Sequence, residues 1–309
     1  MKKVAIVFPG QGSQAVGMGA DLVARFPEAR ALFDEASSVL SRDIATICFE
    51  GPESELVKTE NAQVGLFLIS AVLFGQLAKA GITPVYVAGH SLGELSAYYA
   101  AGVYSVSDAI RVIAKRGELM GQAYPSEQSA MAAVLGMDAD TMAQVFADLQ
   151  DPNVVMANFN CPGQIVISGQ KASVERASEA LRTAGAKRVI PLPVSGAFHS
   201  PLMAPAVPPF ADFLKTVSFS DARVPVVLNR LAKPETAADA LRENLALQIQ
   251  SPVYWMQSVA YMAPQVDSFL ECGAGKVLSG LIKKSAPDVP VLSVSSVETL
   301  ESVLMEVAA

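Results

Sequence analysis

Two histidines, three cysteines and one tryptophan are all that 309 residues hold of those types. Cys48, Cys161 and Cys272 lie far apart with no Cys-x-x-Cys pair. That excludes a disulfide framework and points to reduced thiols in the cytoplasm. So few histidines also exclude a His/Cys zinc site, and no metal is expected. Basic residues are in the minority: 23 Lys and Arg face 30 Asp and Glu, for a net charge of -7. The sign is wrong for a nucleic-acid partner, which calls for clustered Lys and Arg. Long apolar runs are missing too. Val4–Phe8, behind Met1-Lys2-Lys3, is too short for a signal peptide. The stretch 64–78 carries Gln76, falls short of the roughly 20 residues that span a bilayer, and reads as a buried helix. No membrane association is expected. With 51% hydrophobic residues, the chain can build one large domain or two modest ones.

What the chain does hold is a strand running into a cramped turn. Pro84-Val85-Tyr86-Val87-Ala88 leads into Gly89-His90-Ser91-Leu92-Gly93-Glu94, and a helical pattern follows over 92–101. Gly-x-Ser-x-Gly in that context lifts the serine to the apex of a strained turn. The glycines on either side let strand and helix approach closely. The helix start turns its free N–H groups and positive dipole end towards Ser91, where an oxyanion would develop. A chance match in an Ala- and Gly-rich chain has no reason to sit between a strand and a helix. Ser91 is therefore the candidate nucleophile.

Around this turn the pattern is that of an α/β protein. Val4–Phe8 is continuously apolar, as expected of a strand covered on both faces of a parallel sheet. It enters Pro9-Gly10-Gln11-Gly12-Ser13-Gln14. Gly10, Gly12 and Ala15 match a dinucleotide fingerprint, but 28–42 reads as helix where a second strand with an acidic end is required. The loop reads better as backbone approaching a polar group, with Gln11 presenting its N–H or its amide. Helices are expected over 28–40, 52–58 and 61–79, and from the Ser105–Asp108 capping box to about Gln122. The stretch 130–195 makes a self-contained β-α-β-β-α-β pattern. Its strands are 131–135, 154–159, 164–168 and 188–194, and its helices Ala139–Leu149 and 172–184. That order is a ferredoxin-like unit. It is inserted at 128–196 into a larger domain made of 1–127 and 197–309. A helix through Leu214, a strand over 224–228, a helix over 238–250 and another started by Ser251-Pro252 follow. A strand over 268–273 and a helix over 276–284 complete the reading. Gly273-Ala274-Gly275-Lys276 lacks the earlier glycine and the later Ser/Thr of a phosphate loop.

A serine needs a base within hydrogen-bond reach. His90 adjoins Ser91 and points to the other side of the strand end. His199, in the loop that follows the inserted unit, is the default base. No acidic residue announces itself as a third member; a carbonyl could orient the imidazole, with Gln248 nearby as a candidate. The oxyanion would be held by the N–H of Leu92 and by a second from a separate loop, for which Gln11 is the natural choice. Arg116 lies on an apolar helix face with Val112, Ile113, Leu119 and Met120. It has two readings there: a structural ion pair or snorkelling side chain, or an anchor for an anionic substrate.

Together these residues resemble the malonyl-coenzyme A:acyl carrier protein transacylases of fatty acid and polyketide synthesis, over essentially the whole chain. The resemblance rests on residues 8–14, 89–94, Arg116, Asn158 to Gln164, Ala197-Phe198-His199-Ser200, Gln248 before Pro252, and residues 273–278. Ala274 and Cys161 depart from the residues common in that family. The resemblance implies an α/β-hydrolase-like large domain with a ferredoxin-like small one, and a Ser-His dyad of Ser91 and His199. It also implies Arg116 as the malonyl carboxylate anchor, Asn160 as a secondary contact in the cleft, and Phe198 as a residue that crowds out a 2-methyl branch. The implied partners are malonyl-CoA and a holo acyl carrier protein, with CoA thioester as substrate and no bound cofactor. A monomer is expected. Arg182, Lys187, Arg188, Lys283 and Lys284 are candidates for meeting an acidic carrier. Rival readings are an acyl hydrolase that clears a synthase, which gains nothing from an inward arginine, and a non-catalytic docking module.

Overall fold

The computed structural model describes residues 3–194 and 196–308, so Met1, Lys2, Ser195 and Ala309 of the stretches above lie outside it. Ten strands are described: β1 (Val4–Phe8), β2 (Tyr86–Gly89), β3 (Ser129–Leu135), β4 (Val154–Cys161), β5 (Gln164–Gln170), β6 (Arg188–Pro191), β7 (Val226–Val227), β8 (Pro234–Glu235), β9 (Ser268–Cys272) and β10 (Val291–Val294). They form two sheets, ordered β10-β9-β1-β2-β7-β8 and β4-β5-β3-β6.

In the larger sheet β1 is central and all five of its residues are buried, as its unbroken apolar run requires. It pairs in parallel with β2, Phe8 opposite Gly89, and with β9, Val4 opposite Ser268. The strands stay parallel from β10 to β7, and the sheet then closes with an antiparallel β7–β8 hairpin that the sequence reading did not contain. Pro234 lies in that outermost strand, where a missing N–H costs least. The helix Thr59–Lys79 is 21 residues long, longer than its apolar stretch suggested. By length and composition it could cross a membrane, yet 78% of its most apolar window is buried inside the protein. It packs against the helices Val106–Gln122 and Leu92–Ala100.

The smaller sheet is antiparallel throughout. Taken in their own order its strands run 2-3-1-4, the ferredoxin-like arrangement, and the helices Ala139–Leu149 and Lys171–Thr183 complete a separate apolar cluster around Val134, Ile167 and Leu181.

Several expected boundaries move. β6 stops at Pro191, and the strand expected over 224–228 shrinks to the two residues of β7. No helix starts at Pro252; the helix is Trp255–Met262. Val253 instead bridges to Asn158 on the edge of β4, its N–H donating to the Ala157 carbonyl and its carbonyl accepting from the Phe159 N–H. This isolated bridge to β4 outweighs the local Ser-Pro signal. Beyond Ser285 the structure adds β10 and the helix Val297–Ala308, to which the sequence reading assigned nothing. All three cysteines are free and buried, and burial pushes the Cys48 thiol up to about 12.

Candidate active site

β2 runs into the helix Leu92–Ala100 through one residue pair, His90 and Ser91. Ser91 takes φ 52° and ψ -106°, a region that costs a non-glycine residue about 1–3 kcal/mol. The turn is as tight as its glycines imply. A Cβ at Gly89 would stand 1.9 Å from the Gly93 carbonyl carbon, and one at Gly93 would stand 2.0 Å from the Phe8 oxygen. Leu92, buried, is the first helical residue, so its N–H is among the donors left free by the first turn. The glycine loop after β1 lies against the same turn: a Cβ at Gly10 would meet the His90 oxygen at 2.5 Å. Gln11 is half-buried there, and its side-chain Nε2 donates to Thr59 Oγ1 at 3.4 Å.

Ser91 Oγ lies 2.7 Å from His199 Nε2, across 108 residues of chain. On the other side of the ring, Nδ1 faces two main-chain carbonyls, Gln248 at 3.2 Å and Ser251 at 3.1 Å. Both can only accept, so Nδ1 carries the proton and Nε2 is left to accept from the serine. Gln248 thus meets the imidazole through its backbone. The Ser251 carbonyl, which the sequence reading missed, is present because the chain stays non-helical up to Tyr254. His199 is buried and, like Ser91, has positive φ, at 58°. Burial, with help from the Arg116 charge and from His90, holds the His199 pKa down to about 3. His90 is also shifted down, by burial. An unperturbed imidazole takes up its proton near pH 6.5, which the unfolded chain will do and the folded chain will not. His199 therefore contributes stability that is full above about pH 6.5 and is lost as pH falls towards 3. With only two histidines in the chain the imidazole nitrogen spectrum is simple. We expect the His199 ring not to titrate between pH 5 and 8; a midpoint near 6.5 for its signals would refute this.

Arg116 is 1% exposed and reaches the same hydroxyl, its Nη2 donating to Ser91 Oγ at 3.1 Å. Nη2 also donates to Gln248 Oε1 at 2.8 Å, and Nη1 to Gln63 Oε1 at 2.9 Å. Among the described residues no carboxylate stands within ion-pair distance of this guanidinium, so the structural ion pair weighed from sequence is not what holds it. Neutral amide oxygens do, and Nε is buried with no partner. Burial lowers its pKa to about 10, which leaves it charged at neutral pH. Gln63 was missed; its signal is a glutamine near the start of a long apolar helix, just before the run 64–78. The approach is possible because Gly117 lets the two helices touch, a Cβ there standing 2.9 Å from the Glu60 Cα.

Two expected contacts look different in place. Asn160 is buried, and its Oδ1 is taken by His90 Nε2 at 2.8 Å, so that oxygen is spoken for before any substrate arrives. Phe198 is buried in the main apolar cluster with its ring close over Gly196. Asn229 and Glu94, which no motif marked as functional, turn out to brace the turn. Glu94 is fully buried, accepts from the Asn229 N–H and from Asn244 Nδ2, and has its pKa pushed up to about 7 by burial.

A buried charge, a hydroxyl and a neutral imidazole meeting on one strained turn can acylate the hydroxyl and hold an anion beside it. The family profile described as an acyl transferase domain matches residues 5–299. This chain belongs to that family. As an acyl transferase domain it is 46% identical over 304 residues to the malonyl CoA-acyl carrier protein transacylase of Bacillus subtilis (strain 168), covering 97% of this chain and 96% of the relative. The corresponding protein of Staphylococcus aureus (strain MRSA252) is 43% identical over 306 residues, 98% of both chains. Among solved structures, an acyl carrier protein S-malonyltransferase from Vibrio cholerae superposes with a TM-score of 0.94 at 41% identity, over 97% of this chain and 99% of that one. A malonyl-transacylase solved in complex with the type II polyketide acyl-carrier protein AntF gives 0.95 at 40% identity, over 98% and 99%.

Proposed function

We propose that this acyltransferase moves a malonyl group from malonyl-CoA to the phosphopantetheine thiol of an acyl carrier protein, in fatty acid or polyketide synthesis. The observation that carries the reading is the buried Arg116, free of any carboxylate partner among the described residues, 3.1 Å from a serine oxygen that is hydrogen-bonded to a neutral imidazole.

The thioester enters between the body formed by 1–127 and 197–309 and the unit 128–196. Its free carboxylate pairs with the Arg116 guanidinium, whose fork suits a planar anion. His199 Nε2 takes the Ser91 proton as Oγ attacks the thioester carbonyl. The N–H groups of Leu92 and Gln11 hold the oxyanion. The C–S bond then breaks, and coenzyme A leaves as a thiol with the proton from His199. The carrier thiol repeats these steps in reverse on the malonyl-serine ester, giving ping-pong kinetics. Gln248 aligns both catalytic residues, through its carbonyl to His199 and its side chain to Arg116. Asn160 and Phe198 bound the cleft, Asn160 through its tie to His90. No metal or bound cofactor takes part beyond the CoA thioester itself. The enzyme works as a cytoplasmic monomer, and the exposed Lys187, Arg188, Lys283 and Lys284 meet the carrier.

Labelled malonyl-CoA, followed by either water or holo carrier protein, tests the reading. We expect a stable malonyl-serine adduct that discharges only to carrier. Rapid discharge into water would mean a hydrolase, and no adduct at all a docking module.

A further inference from the structure

Ser91 sits in a backbone conformation that no regular strand or helix supports, so its neighbouring peptide groups need partners from elsewhere. One side chain supplies two of them, one on each side of the turn. Asn229 Nδ2 donates to the Gly89 carbonyl at 2.6 Å, on the strand side of the turn. Its Oδ1 accepts from the Ser91 N–H at 2.7 Å, on the helix side, and from Gln248 Nε2 at 3.5 Å. The backbone of Asn229 is pinned as firmly: its N–H donates to Glu94 Oε2 and its carbonyl accepts from the Tyr254 N–H at 2.8 Å. Gln248 Nε2 completes the set by donating to the Ser91 carbonyl at 2.8 Å.

We propose that Asn229 is a positioning residue for acylation, its amide spanning both ends of the turn and holding Ser91 Oγ in line with His199 and Arg116. This rests on the acyl-transfer reading above. Only a primary amide of this length both donates to Gly89 and accepts from Ser91. The Ser91 N–H is thereby spent, which leaves the oxyanion to the N–H of Leu92 and the glycine loop. Glu94, in the first turn of the helix that Ser91 precedes, ties the clamp to the element it positions, and Asn244 fixes the other Glu94 oxygen at 2.8 Å. Freed from the clamp, Ser91 relaxes towards ordinary backbone angles and its hydroxyl leaves the line of attack.

The test uses the full chain with Asn229→Ala and Asn229→Asp; the aspartate keeps the volume and the acceptor but turns the donor to Gly89 into a carboxylate oxygen. Two acylations of Ser91 are timed in a single turnover: by malonyl-CoA over a range of concentrations, and by a neutral sulfonyl fluoride that has no carboxylate for Arg116. A displacement of about 1 Å at a reacting atom costs on the order of 100-fold in rate. We expect both variants to slow both reactions by about that factor, with the half-saturating malonyl-CoA concentration within about twofold of wild type. Folded variants that react with both reagents within about threefold of wild type overturn the proposal. So does a raised half-saturating concentration with an unchanged maximal rate, and so does failure of both variants to fold, which would make the role structural. The acyl-transfer reading fails separately, if wild-type protein is sulfonylated at Ser91 yet takes no malonyl group.

Discussion

Ser91→Ala abolishes covalent labelling by malonyl-CoA, and His199→Ala slows it by about 10⁴-fold or more, the scale on which removing a member of a Ser-His pair acts. Quenched-flow measurement of bound label checks both. The serine hydroxyl is half-buried at the edge of the cleft, so its loss should leave melting nearly unchanged. Removing His199 is different. It empties a buried site and takes the donor from the Ser251 carbonyl, a penalty of about 1–3 kcal/mol for a group left unsatisfied, while the Gln248 carbonyl keeps the Ser251 N–H. The rate must therefore be read well below the melting temperature of the variant. Near-normal acylation by folded His199→Ala at neutral pH would mean that another group takes the proton.

Arg116→Ala turns acyl choice around: malonyl transfer falls by about 10²- to 10³-fold and the preference for malonyl over acetyl is lost. Truncating one member of a buried, hydrogen-bonded charge pair costs about 2–5 kcal/mol, and that figure sets the scale. In the wild type an acetyl group leaves the guanidinium hydrogen-bonded to neutral groups only, with the longer-range attraction of the buried Glu94 but no anion in contact to offset its desolvation. The variant no longer carries that penalty. Because Arg116 also donates to Ser91 Oγ, both substrates lose some rate, so the ratio of kcat/KM values is the quantity to compare. Competition among malonyl, acetyl and methylmalonyl thioesters supplies it, and the methyl branch reports on Phe198 as well. A variant that keeps its malonyl preference would return Arg116 to a packing role.

How much of this is legible in sequence depends on whether a signal is local. The turn at Ser91 is, because its glycines, strand and helix lie within a few residues of it. The ferredoxin-like order is, because each element carries its own periodicity and turn. Arg116 and Gln248 could be marked as inward-facing from helical spacing alone. The partners of Arg116 could not, since Gln63 reaches it across 53 residues and Gln248 across 132. Asn229 is the plainest case. It stands in Val-Leu-Asn-Arg, which resembles any strand end, and its importance comes from a peptide 138 residues earlier. The misplaced helix start at Pro252 has the same origin. A local cap was read where the backbone of Val253 is committed to β4.

The place of β1 at the centre of the larger sheet carries a consequence for how this molecule comes into being. One of its edges is filled by β2, about a quarter of the way along the chain, and the other by β9, whose residues begin at Ser268. On a ribosome β1 waits until Ser268–Cys272 has emerged before its second neighbour is available, with one edge unpaired. Sequence-distant parallel pairing of this kind folds slowly and leaves sticky intermediates. The inserted unit β3–β6, whose strands all pair within about 65 residues of one another, can close while β1 is still waiting. The order of assembly is thus opposite to the order of importance: the accessory sheet first, the sheet that carries the nucleophile last.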